Sequence, residues 1–292
     1  MAIAGFQIIN LNGHYDHTHR WSLDFAQYKR EIFSKRTSSS LILVGGSSSL
    51  YAIDTAKLAK QIQMPVLNYA LGANIGLELI LEESLSTLRP GDTAVLILEP
   101  ELLATPPHAS QSYVYNHIIN HRLFERRSWW QSVSILAHAP LSILTGGSMQ
   151  SRSDRFKNIY TSASLNDYGD FKESVLLDNP PAHRLSVTNL MTYRAIHPDN
   201  SKVLQTFVDA CKEKGIDVMA LHAPMIETPH RSFKRFVKDL EDLYIETGVT
   251  FFHTSEPLVY HARLAFDTYE HFNPSIRPKH TALLAQAIVS GE

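Results

Sequence analysis

The chain has 292 residues, 44% of them hydrophobic and 19% charged, with a formal net charge of −2. That length can bury a large core and the balance is that of a folded globular protein, which sets disorder aside; the charge offers no basic excess for neutralising phosphates, so nucleic acid is not an expected partner. The single cysteine, Cys211, excludes an intrachain disulfide framework and a Cys-based zinc cluster, and it reads as a packing residue.

At the start of the chain, Met1–Asn10 lacks the basic region and sustained apolar stretch of a signal peptide. No run of about 18 apolar residues occurs anywhere, so the chain as given reads as soluble. Ser40–Val44 is a short apolar run ending in Gly45-Gly46 and reads as a buried parallel strand. Helix is expected over Ile53–Ile62, a second strand over Pro65–Leu71 ending at Gly72, helix over Ile75–Leu88, a turn at Arg89–Asp92, and a strand over Thr93–Leu98. The alternation resumes with helix Ser201–Lys214, strand Asp217–Leu221, helix Phe233–Thr247, strand Val249–His253 and a last helix over Pro278–Val289. Gly215 and Gly248 mark the two turns within that stretch.

Five strands alternating with helices specify an α/β domain with a doubly wound parallel sheet, flavodoxin-like in kind, whose ligands bind beyond the carboxyl ends of the strands. Between Pro100 and Pro198 the pattern changes to aromatic, His-rich and Ser/Asn-rich sequence, including Trp129-Trp130 and the turn-like Leu144–Ser148. Residues 102–198 read as a long insertion or cap after the third strand, within one domain spanning 1–292.

Two constellations carry chemistry. Gly45-Gly46-Ser47-Ser48-Ser49 lies at the expected carboxyl end of the first strand and leads into a helix. Glycines allow a sharp turn, and a serine there can project its hydroxyl above the sheet while helix N-terminal N–H groups face an oxyanion. The same sequence can instead cradle a phosphate, or cap a helix. The second constellation, Phe266–Asn273 (FDTYEHFN), sets Asp267 near His271 just before the last helix. A carboxylate on Nδ1–H fixes the tautomer of a basic His, and Asp267 can reach it around one loop; Glu270 is the competing acid, and the plain alternative is a His that merely lies among acids in a polar loop.

Taken together, an early Gly-containing serine block and a late Asp/His pair resemble the SGNH (GDSL-like) hydrolase superfamily. Asn68–Gly72 (NYALG) resembles the family block whose Gly N–H contributes to the oxyanion hole. The likeness is closest to a little-characterised bacterial branch with Gly-Gly-Ser, a Leu-Glu-x-Glu strand end (Leu98–Glu101), Asp-x-x-x-His-x-Asn, and Tyr168-Gly169-Asp170 in the insertion. It covers about Ser38–Glu101 and Asp217–Val289. The resemblance implies the SGNH hydrolase fold with Ser47 as nucleophile, His271 as base and Asp267 as its orienting acid. Gly72 is an implied oxyanion donor, joined either by Asn74 or by the N–H of Ser48 alone, and neither cofactor nor metal is implied.

The chain departs from the family after strand three, where an Asn donor is usual and Glu99-Pro100-Glu101 stands instead. An ionised carboxylate cannot donate to an oxyanion. Glu99 and Glu101, candidate pocket residues, read as structural groups that bind backbone or Arg beneath the pocket ahead of a catalytic role. His222 either lines the pocket or is a satisfied loop His. His117 and His121 have the spacing of two metal ligands but lack a third at a convincing spacing. Trp129 and Trp130 read as core or interface ahead of a sugar-stacking platform, and Arg126-Arg127 as a solvated pair.

The expected activity is serine-dependent ester hydrolysis or O-acyl transfer, acetyl in the first instance, on a carbohydrate or cell-envelope polysaccharide. The alternative is a non-catalytic carbohydrate-binding or polysaccharide-assembly protein that keeps the fold. Association with a membrane-bound polysaccharide assembly, and a place in the extracytoplasmic (periplasmic) part of a membrane-anchored bacterial protein, are consistent with the resemblance. Oligomeric state is not legible.

Overall fold

The computed structural model describes residues 21–107, 159–180, 195–227 and 233–291. The core of the fold is a sheet of five parallel strands, β1 (Leu41–Gly45), β2 (Val66–Asn68), β3 (Thr93–Leu98), β4 (Asp217–His222) and β6 (Thr250–Phe251), in the order β2-β1-β3-β4-β6. A separate parallel pair joins β5 (Met225–Ile226) to β7 (Val259–Tyr260). This is an α/β architecture with the strand order of a flavodoxin-like sheet, and the reversal of order between β1 and β3 opens a crevice at their carboxyl ends.

The sheet is buried because its strands are apolar on both faces, as parallel strands flanked by helices must be. Alternate residues serve opposite sides. Ile42, Val44, Ala94, Leu96 and Leu98 pack with α1 (Trp21–Ser34), α4 (Leu77–Thr87), α7 (Pro198–Glu213) and α8 (Phe233–Glu246), the short helices α5 (Pro100–Ala104) and α6 (Glu173–Asp178) coming between α4 and α7 in the chain. Leu41, Leu43, Val95 and Ile97 pack with α3 (Thr55–Ile62) and α9 (Arg277–Ser290). No helix among the described residues is long and apolar enough to cross a membrane.

Several elements differ from the sequence expectation for identifiable reasons. The helix α2 (Ser47–Ala52) precedes α3, and the chain breaks at Asp54, whose carboxylate accepts from Lys57 N at 3.0 Å and starts α3 anew. The expected strand Pro65–Leu71 is regular only over Val66–Asn68, because Asn68 Oδ1 takes the Ala70 N–H at 2.9 Å. Gly76, at φ 88°, divides the helix expected over Ile75–Leu88 into a 3-10 turn (Ala73–Ile75) and α4. The last strand pairs only over Thr250–Phe251. Helix α1 was not anticipated at all, nor was the β5–β7 pair.

Within residues 159–180, part of the expected insertion, Tyr168-Gly169-Asp170 docks on the outer edge of β2. Asn68 N donates to Tyr168 O at 2.8 Å, which supplies the edge strand with a partner. Gly169 sits at φ +90°, and a Cβ there would run into Asn68 O. Asp170, fully enclosed, accepts from Thr55 N (2.9 Å), Thr55 Oγ1 (2.6 Å) and Asn68 Nδ2 (2.9 Å), tying β2 to the start of α3. His117, His121, Arg126, Arg127, Trp129, Trp130 and Leu144–Ser148 lie outside the described residues.

Candidate active site

The site begins where β1 ends. Gly45 lies so close to the neighbouring strand that a Cβ would collide with Ile97 O, and a Cβ on Gly46 would collide with the Glu99 carboxylate. Only glycine fits this approach, and the chain turns straight into α2 with Ser47 as its first residue. Ser47 is buried to 6% exposure, and its Oγ lies 2.7 Å from His271 Nε2. His271 Nδ1 lies 2.6 Å from Asp267 Oδ1, so Asp267 rather than the adjacent Glu270 supplies the carboxylate. With Asp267 ionised, Nδ1 carries the proton it donates, and Nε2 is the lone pair that accepts from the Ser47 hydroxyl.

The loop that bears the pair is folded by local bonds. Thr268 Oγ1 accepts from Glu270 N (3.3 Å) and His271 N (3.2 Å), and Phe266 N donates to His271 O at 2.6 Å. Asn273 accepts from Ser275 N at 3.0 Å and so caps the 3-10 turn Pro274–Ile276 that leads into α9. Tyr51, on α2, stacks on His271 with centroids 4.2 Å apart and an interplanar angle of 12°. Buried Arg277, at the head of α9, donates from Nε to Tyr51 O (2.8 Å) and from a terminal nitrogen to Leu50 O (3.2 Å). It thereby occupies the last carbonyls of the helix that carries Ser47.

Gly72 follows the segment that continues from β2, and Asn74 lies in the 3-10 turn Ala73–Ile75 just beyond it. Leu71 N donates to Gly45 O at 3.0 Å, which brings Gly72 level with the Gly45–Ser47 turn. Asn74 Oδ1 accepts from Ser22 Oγ at 3.4 Å. The reading of Ser48 needs correction: its N–H, expected to face an oxyanion, donates to Glu99 Oε1 at 2.8 Å. Gly46 N donates to Glu99 Oε2, also at 2.8 Å. Glu99 is fully buried, and burial pushes its carboxyl above the usual range against the opposing pull of these N–H bonds.

Glu101 accepts from Tyr269 OH at 3.4 Å and so touches the Asp267–Asn273 loop from the far side. His222 ends β4, is 4% exposed, and lies with Nδ1 3.2 Å from Ala223 O. Burial holds its imidazole down to about 4, so it is neutral at ordinary pH. A cavity of about 230 Å³ lies elsewhere, between α4 and α7, lined in part by Leu81, Leu85, Val203 and Phe207. None of Ser47, Asp267 or His271 borders it.

Three residues of this region went unread in the sequence: Tyr51, Arg277 and Lys29. Lys29 lies fully buried on α1 and donates to Asn68 O (2.8 Å) and Ala70 O (2.6 Å), fixing the segment that leads to Gly72. Its signal was a lysine in the stripe Ser22, Phe25, Ala26, Lys29, Phe33, which has helical spacing and is buried throughout. Arg277 and Tyr51 carry no comparable pattern. No family model matches the chain, and no curated protein matches it.

Proposed function

We propose that the chain is an SGNH-type serine-dependent esterase or O-acyltransferase, acetyl in the first instance, acting on a carbohydrate or cell-envelope polysaccharide. The observation that carries the reading is the unbroken chain Ser47 Oγ···His271 Nε2, His271 Nδ1···Asp267 Oδ1, at 2.7 and 2.6 Å. Ser47 Oγ attacks the ester carbonyl carbon while His271 Nε2 takes the hydroxyl proton, and Asp267 stabilises the imidazolium that results. The tetrahedral intermediate then expels the alcohol, which leaves with the proton from Nε2, and an acyl ester remains on Ser47. Water gives the acid; a sugar hydroxyl gives the acylated sugar. In both cases His271 removes the proton from the attacking oxygen and returns it to Ser47.

The Gly72 N–H and the Asn74 amide are the donors assigned to the oxyanion. Ser48 is left out, since its N–H is held by Glu99. One missing donor typically costs about 10²–10³ in rate, which favours a slow enzyme. That same feature, a carboxylate in place of the family's Asn, favours a second reading as a non-catalytic carbohydrate-binding protein. A serine-reactive phosphonate separates the two. Covalent mass on Ser47 supports the enzyme, and no addition under forcing conditions overturns it.

A further inference from the structure

We propose that Glu99 is a positioning residue for Ser47: its carboxylate gathers the N–H groups on either side of the serine and so sets Ser47 Oγ on His271 Nε2. The inference rests on the serine-nucleophile reading and adds a residue to it. Glu99 follows the last residue of β3, and β3 pairs with β1 in the register Gly45↔Ile97, so its side chain arrives beneath the Gly46–Ser48 turn. Each oxygen has its own donor, Gly46 N on Oε2 and Ser48 N on Oε1, both at 2.8 Å. The fork therefore straddles Ser47 and restrains the backbone on both of its sides.

No Lys or Arg pairs with Glu99 among the described residues, so the partners of its two oxygens are the Gly46 and Ser48 N–H groups. A buried carboxyl group is costly where an apolar residue could fill the space, unless the bonds it makes are needed. Here those bonds use up the Ser48 N–H and require glycine at position 46. An amide at position 99 would keep one acceptor oxygen but turn an NH₂ toward the other N–H. One side of Ser47 would then be released, and small displacements of a reacting group cost about 10²-fold.

The test compares the full-length wild type with Glu99→Gln and, as an independent route to the same contact, Gly46→Ala. Gly46 has φ −93° and ψ −161°, which alanine also adopts, so that substitution acts through its collision with the carboxylate. Two readouts are taken on protein verified as folded by circular dichroism: the rate of phosphonate labelling at Ser47, and the ¹⁵N signal of His271 Nε2. The expected result is labelling slowed by about 10²-fold together with a moved Nε2 signal in either variant. A folded variant with wild-type labelling and an unmoved signal overturns the inference. If the wild type itself is not labelled, the esterase reading fails, and the Nε2 signal alone decides: moved upholds the positioning of Ser47 by Glu99, unmoved rejects it.

Discussion

The ring of Tyr51 lies flat against the imidazole of His271, centroids 4.2 Å apart and planes 12° from parallel, so the helix that carries Ser47 also braces the base that Ser47 touches. An aromatic face favours a cation above it by about 0.5–2 kcal/mol, and in the proposed reaction His271 becomes cationic when it takes the serine proton. Tyr51→Leu should therefore lower turnover of a small acetyl ester by about 10-fold. Tyr51→Phe, which keeps the ring and removes the hydroxyl that lies 2.9 Å from that of Tyr160, should stay close to wild type. Equal losses in the two variants would show that the hydroxyl, not the face, matters.

Removing the proposed nucleophile should leave the fold intact. Ser47→Ala deletes one hydroxyl whose partner, His271, keeps Asp267 and retains some access to water, with its side chain 13% exposed. The variant should unfold in urea within about 1 kcal/mol of wild type. It should have no measurable esterase activity. Activity equal to wild type would remove Ser47 from the mechanism.

The two acids of the loop should separate cleanly. Asp267→Asn leaves a side chain in place but favours the wrong imidazole tautomer, with an expected loss of ~10⁴-fold in turnover on serine-protease precedent. Glu270→Gln should lose far less, because the 2.6 Å contact with Nδ1 belongs to Asp267. A larger loss from the Glu270 variant would transfer the orienting role.

Arg277 holds two backbone carbonyls at the end of α2, and a long apolar side chain can hold neither. Arg277→Met should destabilise the protein by about 3 kcal/mol, since each lost bond to a charged donor costs about 1.5–3. It should also slow labelling of Ser47, whose helix would lose its anchor. An unchanged urea midpoint would show that those carbonyls find other donors.

Lys29 makes stability depend on pH in the alkaline range. Burial brings its folded-state pKa from 10.5 down to about 7, so between those limits the unfolded chain binds the proton and the folded chain does not. Stability must then rise with pH across that window, by up to about 1.4 kcal/mol per unit, and fall away as pH drops toward 7. In Lys29→Met that slope should vanish, over and above a constant loss from the released Asn68 and Ala70 carbonyls. Urea unfolding of both proteins at several pH values from 7 to 10 measures the difference. Parallel slopes would refute the shift.

Much of the framework was written in local pattern. The apolar runs at Ser40–Val44, Thr93–Leu98 and Asp217–Leu221 became β1, β3 and β4 with ends shifted by a residue or less, because a strand buried on both faces has few other solutions. Gly45-Gly46-Ser47 and the four-residue spacing of Asp267 and His271 were likewise visible, since turn chemistry and loop reach are local. What tertiary structure decided was pairing. Ser47 and His271 are separated by 224 positions, Arg277 and Tyr51 by 226, and no periodicity states which donor will meet which acceptor across such a distance. Glu99 is the sharpest case. Its sequence position identified a departure from a family pattern, but only the register of β1 against β3 brought its carboxylate under Ser48 and took that N–H away from the pocket. A backbone donor serves whichever acceptor packing delivers to it, and packing is a property of the whole sheet.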